Sequence, residues 1–191
     1  MIKKHYRTII AIGIILIAFG YVWQALYKTN GVQVDNQYSL IDMHGNPVDA
    51  DTNDGKKQII FFGYTFCPDV CPTTLQTLTS ALEEIKNPDE WIGVLVTIDP
   101  ERDTPEVLKE YVSENFHKNI TAYTGTNEAI ADIASAFQAK YSVTEATKDD
   151  EFYLMQHTAF IYFLNKDGSL SSISLYDISK KEMIERMQDA K

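Results

Sequence analysis

Cysteine is nearly absent from this chain: among 191 residues there are two, Cys67 and Cys71, four positions apart. Negative charge is absent from the N-terminal part, where no acidic residue precedes Asp35. No cysteine stands near the end of the apolar stretch 8–27, which excludes a lipid-modified N-terminus there. A small-x-small cleavage site is also missing, since Phe19-Gly20-Tyr21-Val22-Trp23-Gln24-Ala25 offers no good one, and this argues against a cleaved signal peptide. Repeats and low-complexity tracts are lacking, so no array architecture competes with an ordinary globular domain.

What is present in the N-terminal part is a run of residues 8–27 without a charged side chain. As a helix rising ~1.5 Å per residue it spans roughly 30 Å, the thickness of a bilayer's hydrocarbon core. Lys3, Lys4 and Arg7 precede it and only Lys28 follows closely, so the positive-inside bias keeps the N-terminus cytoplasmic and sends the rest outward. The expectation is a single-pass anchor over residues 1–28, a polar tether over 29–36 and one domain over 37–191. An anchor without a transit peptide points to a bacterial cell membrane, with the functional domain extracytoplasmic. All 27 acids fall beyond the anchor with 13 of the 17 bases, a formal charge of −14. That balance excludes nucleic acid as a partner and argues against lying flat on anionic lipid.

The outer part alternates strand-like and helix-like segments. Tyr38–Asp42 followed by His44-Gly45-Asn46-Pro47 reads as a leading hairpin. Gln58–Gly63 is a continuous apolar run of the buried-strand type, and Pro72 suits the first turn of a helix whose apolar face is Leu75, Leu78, Leu82 and Ile85. Trp91–Ile98 is a second buried strand; Asp103 or Thr104 caps a helix opening at Pro105. A short strand (120–123), a helix (129–137), a polar excursion (142–151), a hairpin (His157–Leu164 and Leu170–Leu175 about Asn165–Gly168) and a closing helix after Ser179 complete the pattern. This order predicts a three-layer α/β domain with a mixed sheet. The cysteines fall where the first core strand meets its helix, the place where thioredoxin-like folds carry reactive thiols.

Two thiols so placed have three fates: a disulfide, a redox dithiol, or a thiolate pair on a soft metal. Cys71 lies beside Pro72 at a helix N-terminus, where free N–H groups and the dipole favour thiolate. Thioredoxin-type redox sites have two residues between their cysteines; the three here leave room that suits a metal better. Four histidines are available as a third ligand. His5 lies on the far side of the anchor, His44 in a turn, and His117 at a helix end. His157 opens an apolar strand and becomes a candidate if that strand end lies beside the cysteine loop.

Gly63-Tyr64-Thr65-Phe66-Cys67-Pro68-Asp69-Val70-Cys71-Pro72, Asp99-Pro100-Glu101-Arg102-Asp103-Thr104-Pro105 and His157-Thr158-Ala159-Phe160-Ile161-Tyr162 resemble, in order and spacing, the three motifs of the Sco/SenC family. These are copper-binding proteins of thioredoxin-like fold. The resemblance implies a copper site, Cu(I) or Cu(II), made by Cys67, Cys71 and His157. It also implies a role in delivering copper to, or preparing the thiols of, the dinuclear copper centre in the copper-site subunit of cytochrome c oxidase. Another copper carrier or a thiol reductant is the further partner class. Asp69, inside the loop, and Asp99, opening the second motif, are candidates for supporting the site from outside the donor set. Asp99 reads equally as a cap on the loop before Pro105. The family's acid before the histidine is replaced by Gln156, which on a strand points away from its neighbour.

Two functions follow, a copper-binding assembly factor and a tethered thiol–disulfide reductase whose pair Cys67 and Cys71 forms a redox-active disulfide. A peroxidase needs a Thr-x-x-Cys setting, and Thr65 stands only two residues before Cys67. An inert structural disulfide is disfavoured because so short a loop stabilises little.

Overall fold

The computed structural model describes residues 38–48, 52–53, 55–148 and 153–191. The expected anchor (1–28) and tether (29–36) lie outside the described residues, and among the described residues no helix is long and apolar enough to cross a membrane.

The order of elements is β1 (Ile41–Asp42), β2 (Lys57–Gly63), α1 (Val70–Glu84), β3 (Trp91–Thr97), α2 (Pro105–Asn115), β4 (Ile120–Thr124), α3 (Asn127–Ala136), β5 (Tyr141–Val143), β6 (Met155–His157), β7 (Phe160–Leu164), β8 (Leu170–Leu175) and α4 (Lys180–Asp189). Six strands form one mixed sheet in the order β1-β4-β3-β2-β7-β8, and β5 and β6 form a separate two-stranded sheet. β2, β3 and β4 run parallel, with Phe61 opposite Leu95 and Val96 opposite Tyr123. β7 lies antiparallel to β2, with Ile60 opposite Tyr162. Almost every residue of β2 and β3 is buried, as parallel strands covered on both faces require.

Side-chain alternation along β2 shows how the layers are made. A methyl built on Gly63 would stand 2.8 Å from the Cys71 sulfur, so this face of the sheet meets α1. Phe62, one residue earlier, packs against Phe137 at the end of α3 and against Tyr162, with ring centroids 5.6 and 6.0 Å away. α1 packs on α4, to which Met183 and Met187 lend fully buried side chains. The mixed three-layer arrangement expected from the sequence is therefore the one found.

One expectation near the start holds and two others change. β1 pairs with β4, and Tyr38–Asp42 also leads the expected turn back, with Ile41 bridging Pro47, the Asp42 N–H donating to the Asn46 carbonyl (2.8 Å) and the Val48 N–H to the Leu40 carbonyl (2.9 Å). The turn between them is held by Asp42, whose Oδ1 accepts the N–H groups of His44 and Asn46 at 2.8 Å each. The strand expected over His157–Leu164 is two strands: β6 ends at His157, and Thr158 and Ala159 separate it from β7. The Thr158 N–H bonds the Lys140 carbonyl (2.8 Å), which turns His157 toward β5 instead of the main sheet. The polar stretch 142–151 is accordingly no plain excursion but begins within β5 and passes a single 3-10 turn at Glu145–Thr147.

Candidate metal centre

The site begins where β2 runs out. α1 starts at Val70, which makes Cys71 its second residue and Pro72 its third; in this first turn N–H groups have no partner within the helix, and Pro72 has none to lose. The Cys71 N–H donates to the Cys67 sulfur at 3.4 Å, so the loop closes on itself around one sulfur. The loop reverses through the Cys67 N–H, which donates to the Tyr64 carbonyl at 3.3 Å. Both cysteines are free thiols; Cys71 is fully buried and Cys67 partly exposed. Gly63 is required by packing, since any side chain there would meet the Cys71 sulfur, Phe61 Cε1 and Leu95 Cδ1.

His157 comes to the same point from β6. Its ring stands edge-on to Phe61 and Tyr64, with centroids 6.2 and 6.5 Å away. Its Nδ1 lies 3.3 Å from the Thr158 carbonyl. Were the Nδ1 proton shared with that carbonyl, the ring would offer Nε2 to a metal. The condition the sequence set for His157, that its strand end lie beside the cysteine loop, is met.

The three side chains meet at Cys67. Its thiol is held well below the ordinary thiol value, first by a hydrogen bond from the Cys71 thiol, then, against the opposing effect of burial, by the His157 imidazole and the N–H groups of Asp69 and Cys71. Cys71 moves the opposite way, raised by its hydrogen bond to Cys67 and by burial. The pair is thus asymmetric, with partly exposed Cys67 biased toward thiolate and buried Cys71 toward thiol. Among the described residues no group of three or more His, Cys, Asp or Glu side chains is placed closely enough to hold a metal ion without moving. Cys67 is the residue that interacts with both of the others. Two sulfurs and an imidazole form a soft-to-borderline donor set that fits Cu(I) and accommodates Cu(II).

The two aspartates singled out from the sequence occupy different stations. Asp69 is exposed and its carboxylate accepts from the Thr73 hydroxyl (3.3 Å); only its backbone faces Cys67. Asp99 is buried, with both oxygens engaged: Oδ2 with Arg102 Nε at 2.5 Å and Oδ1 with the Tyr153 hydroxyl at 2.7 Å. Its backbone carbonyl accepts the N–H groups of Arg102 and Asp103, but its carboxylate bonds Arg102 and Tyr153 rather than any backbone N–H, so the side chain does not cap the loop. The helix after it is capped by Thr104, whose Oγ1 accepts from the Val107 N–H. Asp103 does something else: fully buried, it accepts from the Thr65 and Thr97 hydroxyls at 2.5 Å each and from the Thr65 N–H at 3.1 Å. It fastens the cysteine loop to the end of β3, and burial raises its carboxyl. Gln156 is exposed and bonds Ser142, on the opposite side of β6 from His157. Sequence reasoning missed Asp103, Arg102, Tyr64 and Tyr153; the signal was the charge density of 99–103 within a stretch otherwise bounded by buried strand.

A thioredoxin-like domain with a thiolate, a buried thiol and an imidazole converging at the end of its first core strand belongs to the class of thiol-based soft-metal and redox proteins. The SCO1/SenC family model matches residues 27–191, and the chain belongs to that family. It is 37% identical over 155 residues to an SCO2-like protein of Rickettsia prowazekii, covering 81% of this chain and 75% of that one. Among solved structures it is similar to Bradyrhizobium japonicum ScoI with copper bound, at 34% identity and a TM-score of 0.69, covering 78% of this chain and 94% of the other. Arabidopsis thaliana ScoI with copper bound is similar at 30% identity and a TM-score of 0.72, covering 79% and 94%.

Proposed function

We propose that this chain is a membrane-anchored, extracytoplasmic copper chaperone. It holds one copper ion through Cys67, Cys71 and His157 and assists assembly of the dinuclear copper centre of cytochrome c oxidase. The observation that carries the reading is convergence in space: the Cys71 N–H closes on the Cys67 sulfur, and His157, far away in sequence, stands edge-on to Tyr64 at the base of the same loop, which holds the neighbouring Met155 by two hydrogen bonds. Similarity to two ScoI structures with copper bound supports copper as the cargo. Cys67, partly exposed and biased toward thiolate, is the first sulfur a copper ion meets; buried Cys71, biased toward thiol, must lose its proton to become the second donor. The anchor over 1–28 and an N-terminus in the cytoplasm rest on the sequence alone.

The same asymmetry favours a second reading, a reductase of the copper-site subunit's cysteines. The Cys67 thiolate attacks one sulfur of the partner's disulfide, and the other leaves as a thiolate that takes up a proton. Cys71 then gives up its proton and attacks Cys67, releasing the second partner thiol and leaving a Cys67–Cys71 disulfide. An external dithiol restores the pair.

Copper titration of wild type, Cys67→Ser and His157→Ala, followed by absorption and EPR, tests the first reading. One equivalent is expected in wild type, and loss of the thiolate-to-Cu(II) charge-transfer band in His157→Ala with the fold intact. Normal Cu(II) binding by His157→Ala removes the trigonal site. Failure to bind copper, with rapid reduction of a disulfide peptide, gives the reductase reading the advantage.

A further inference from the structure

His157 sits on a sheet of two strands, three residues each, that shares no ladder with the main sheet. So small a hairpin has no independent stability. Something else must hold β6 against the cysteine loop, and two attachments do. Tyr64, three residues before Cys67, receives the Met155 N–H at 3.1 Å and donates to the Met155 carbonyl at 3.3 Å. Two residues further back, the Arg102 guanidinium lies 3.6 Å from the centre of the Tyr153 ring. The same guanidinium is 4.7 Å from the ring of Phe66 and 5.9 Å from that of Tyr64, both in the cysteine loop. Arg102 is therefore stacked between the segment that leads to His157 and the segment that leads to Cys67.

Its orientation is fixed. Asp99 takes Nε with one carboxylate oxygen and the Tyr153 hydroxyl with the other, closing a three-residue ring around the stack. The remaining nitrogens, Nη1 and Nη2, are buried with no hydrogen-bond partner. A guanidinium desolvated in this way is costly unless the rings and the Asp99 carboxylate compensate it together. The attachment therefore depends on all of its parts.

We propose that Arg102 is a positioning residue for the metal centre. Clamped between Tyr153 and the aromatic side chains of the cysteine loop, it fixes the strand bearing His157 and so determines whether a soft metal on Cys67 and Cys71 gains its imidazole ligand. Arg102 touches neither cysteine nor histidine; it acts through Tyr153 and Met155. The inference rests on the donor set proposed above only for its consequence on copper, because the positioning is a property of the metal-free protein.

The test uses the full chain in detergent, with Arg102→Met, Arg102→Lys, Tyr153→Leu and Tyr153→Phe. In the metal-free protein, amide hydrogen exchange at Met155 and His157 is expected to rise by roughly tenfold in Arg102→Met and Tyr153→Leu, the factor set by losing one desolvated cation–π contact. Tyr153→Phe, which keeps the ring but loses the hydroxyl bond to Asp99, and Arg102→Lys, which keeps charge without the planar face, both fall between. With Cu(II) added, Arg102→Met and Tyr153→Leu weaken the EPR nitrogen coupling and the thiolate charge-transfer band together, the effect expected of a displaced imidazole. Unchanged exchange in Arg102→Met overturns the proposal. So does a parallel collapse of thermal stability and Cys67 alkylation, which marks a general fold defect. If His157→Ala retains nitrogen coupling, the donor set is wrong, and the exchange measurement still decides the role of Arg102.

Discussion

Replacing Gly63 by alanine puts the smallest possible side chain against the Cys71 sulfur. The new methyl would stand 2.8 Å from Cys71 Sγ and from Phe61 Cε1, and 3.2 Å from Leu95 Cδ1. Ordinary contact is about 3.5–4.0 Å, so the overlap is roughly 1 Å on two sides. Overpacking of that kind costs about 1–3 kcal/mol. With a urea slope of about 2 kcal/mol per molar, the unfolding midpoint falls by roughly 0.5–1.5 M. The sulfur cannot retreat without parting from Cys67, so the strongest of the hydrogen bonds to that thiolate is lost or lengthened. A hydrogen bond to a charged group is worth about 1.5–3 kcal/mol, which raises the alkylation pKa of Cys67 by about one to two pH units. Urea unfolding of the reduced, metal-free protein and the pH profile of iodoacetamide labelling read both effects on one variant. If Gly63→Ala keeps the wild-type midpoint and profile, the close approach of Gly63 to Cys71 is not a feature of the protein in solution and the reasoning fails.

Two further outcomes follow from the charges of the site. Cys67 in wild type should alkylate well below the ordinary thiol range while Cys71 stays inert. Its pH profile should move upward in Cys71→Ala and, by less, in His157→Ala, because the Cys71 hydrogen bond is the larger influence; an unshifted profile in both would contradict the arrangement around Cys67. Asp103 has a folded pKa raised above its unfolded value, so its proton favours the native state at low pH and that contribution is lost as pH rises through the folded value. Asp103→Asn should therefore flatten the change in urea midpoint between the ordinary carboxylate range and neutral pH, and an unaltered pH dependence would show that Asp103 does not titrate differently on folding.

Much of the site was legible because its signals are local. Proline at 72 marks the first turn of a helix, and Cys71 falls inside that turn as expected. The Asn165–Gly168 turn appears where Asn165, Asp167 and Gly168 predict it, with Gly168 at φ 75°. The pairing of β7 with β2 follows from two apolar runs that each need a covered neighbour. What was hidden depends on long-range contacts. The break after His157 is made by the bond between Thr158 and Lys140, and no periodicity within 157–164 announces it. β5 and β6 are short and half-exposed, so they lack the alternation that identifies a strand. Asp103 and Thr104 are equally good caps on paper; only the nearness of Thr65 and Thr97 diverts the aspartate inward.

The antiparallel pairing of β7 with β2 also sets a schedule. Cys67 and Cys71 are neighbours along the chain and can find each other as soon as both have been synthesised. His157 reaches them only after the strand that follows it has docked at the centre of the sheet, a non-local event that ranks among the slower steps of folding. The nascent protein is thus a bare dithiol first, and the imidazole joins it last. Oxidation of the pair asks nothing of the fold, whereas the imidazole stands beside it only in a finished domain, so their proximity reports that folding is complete.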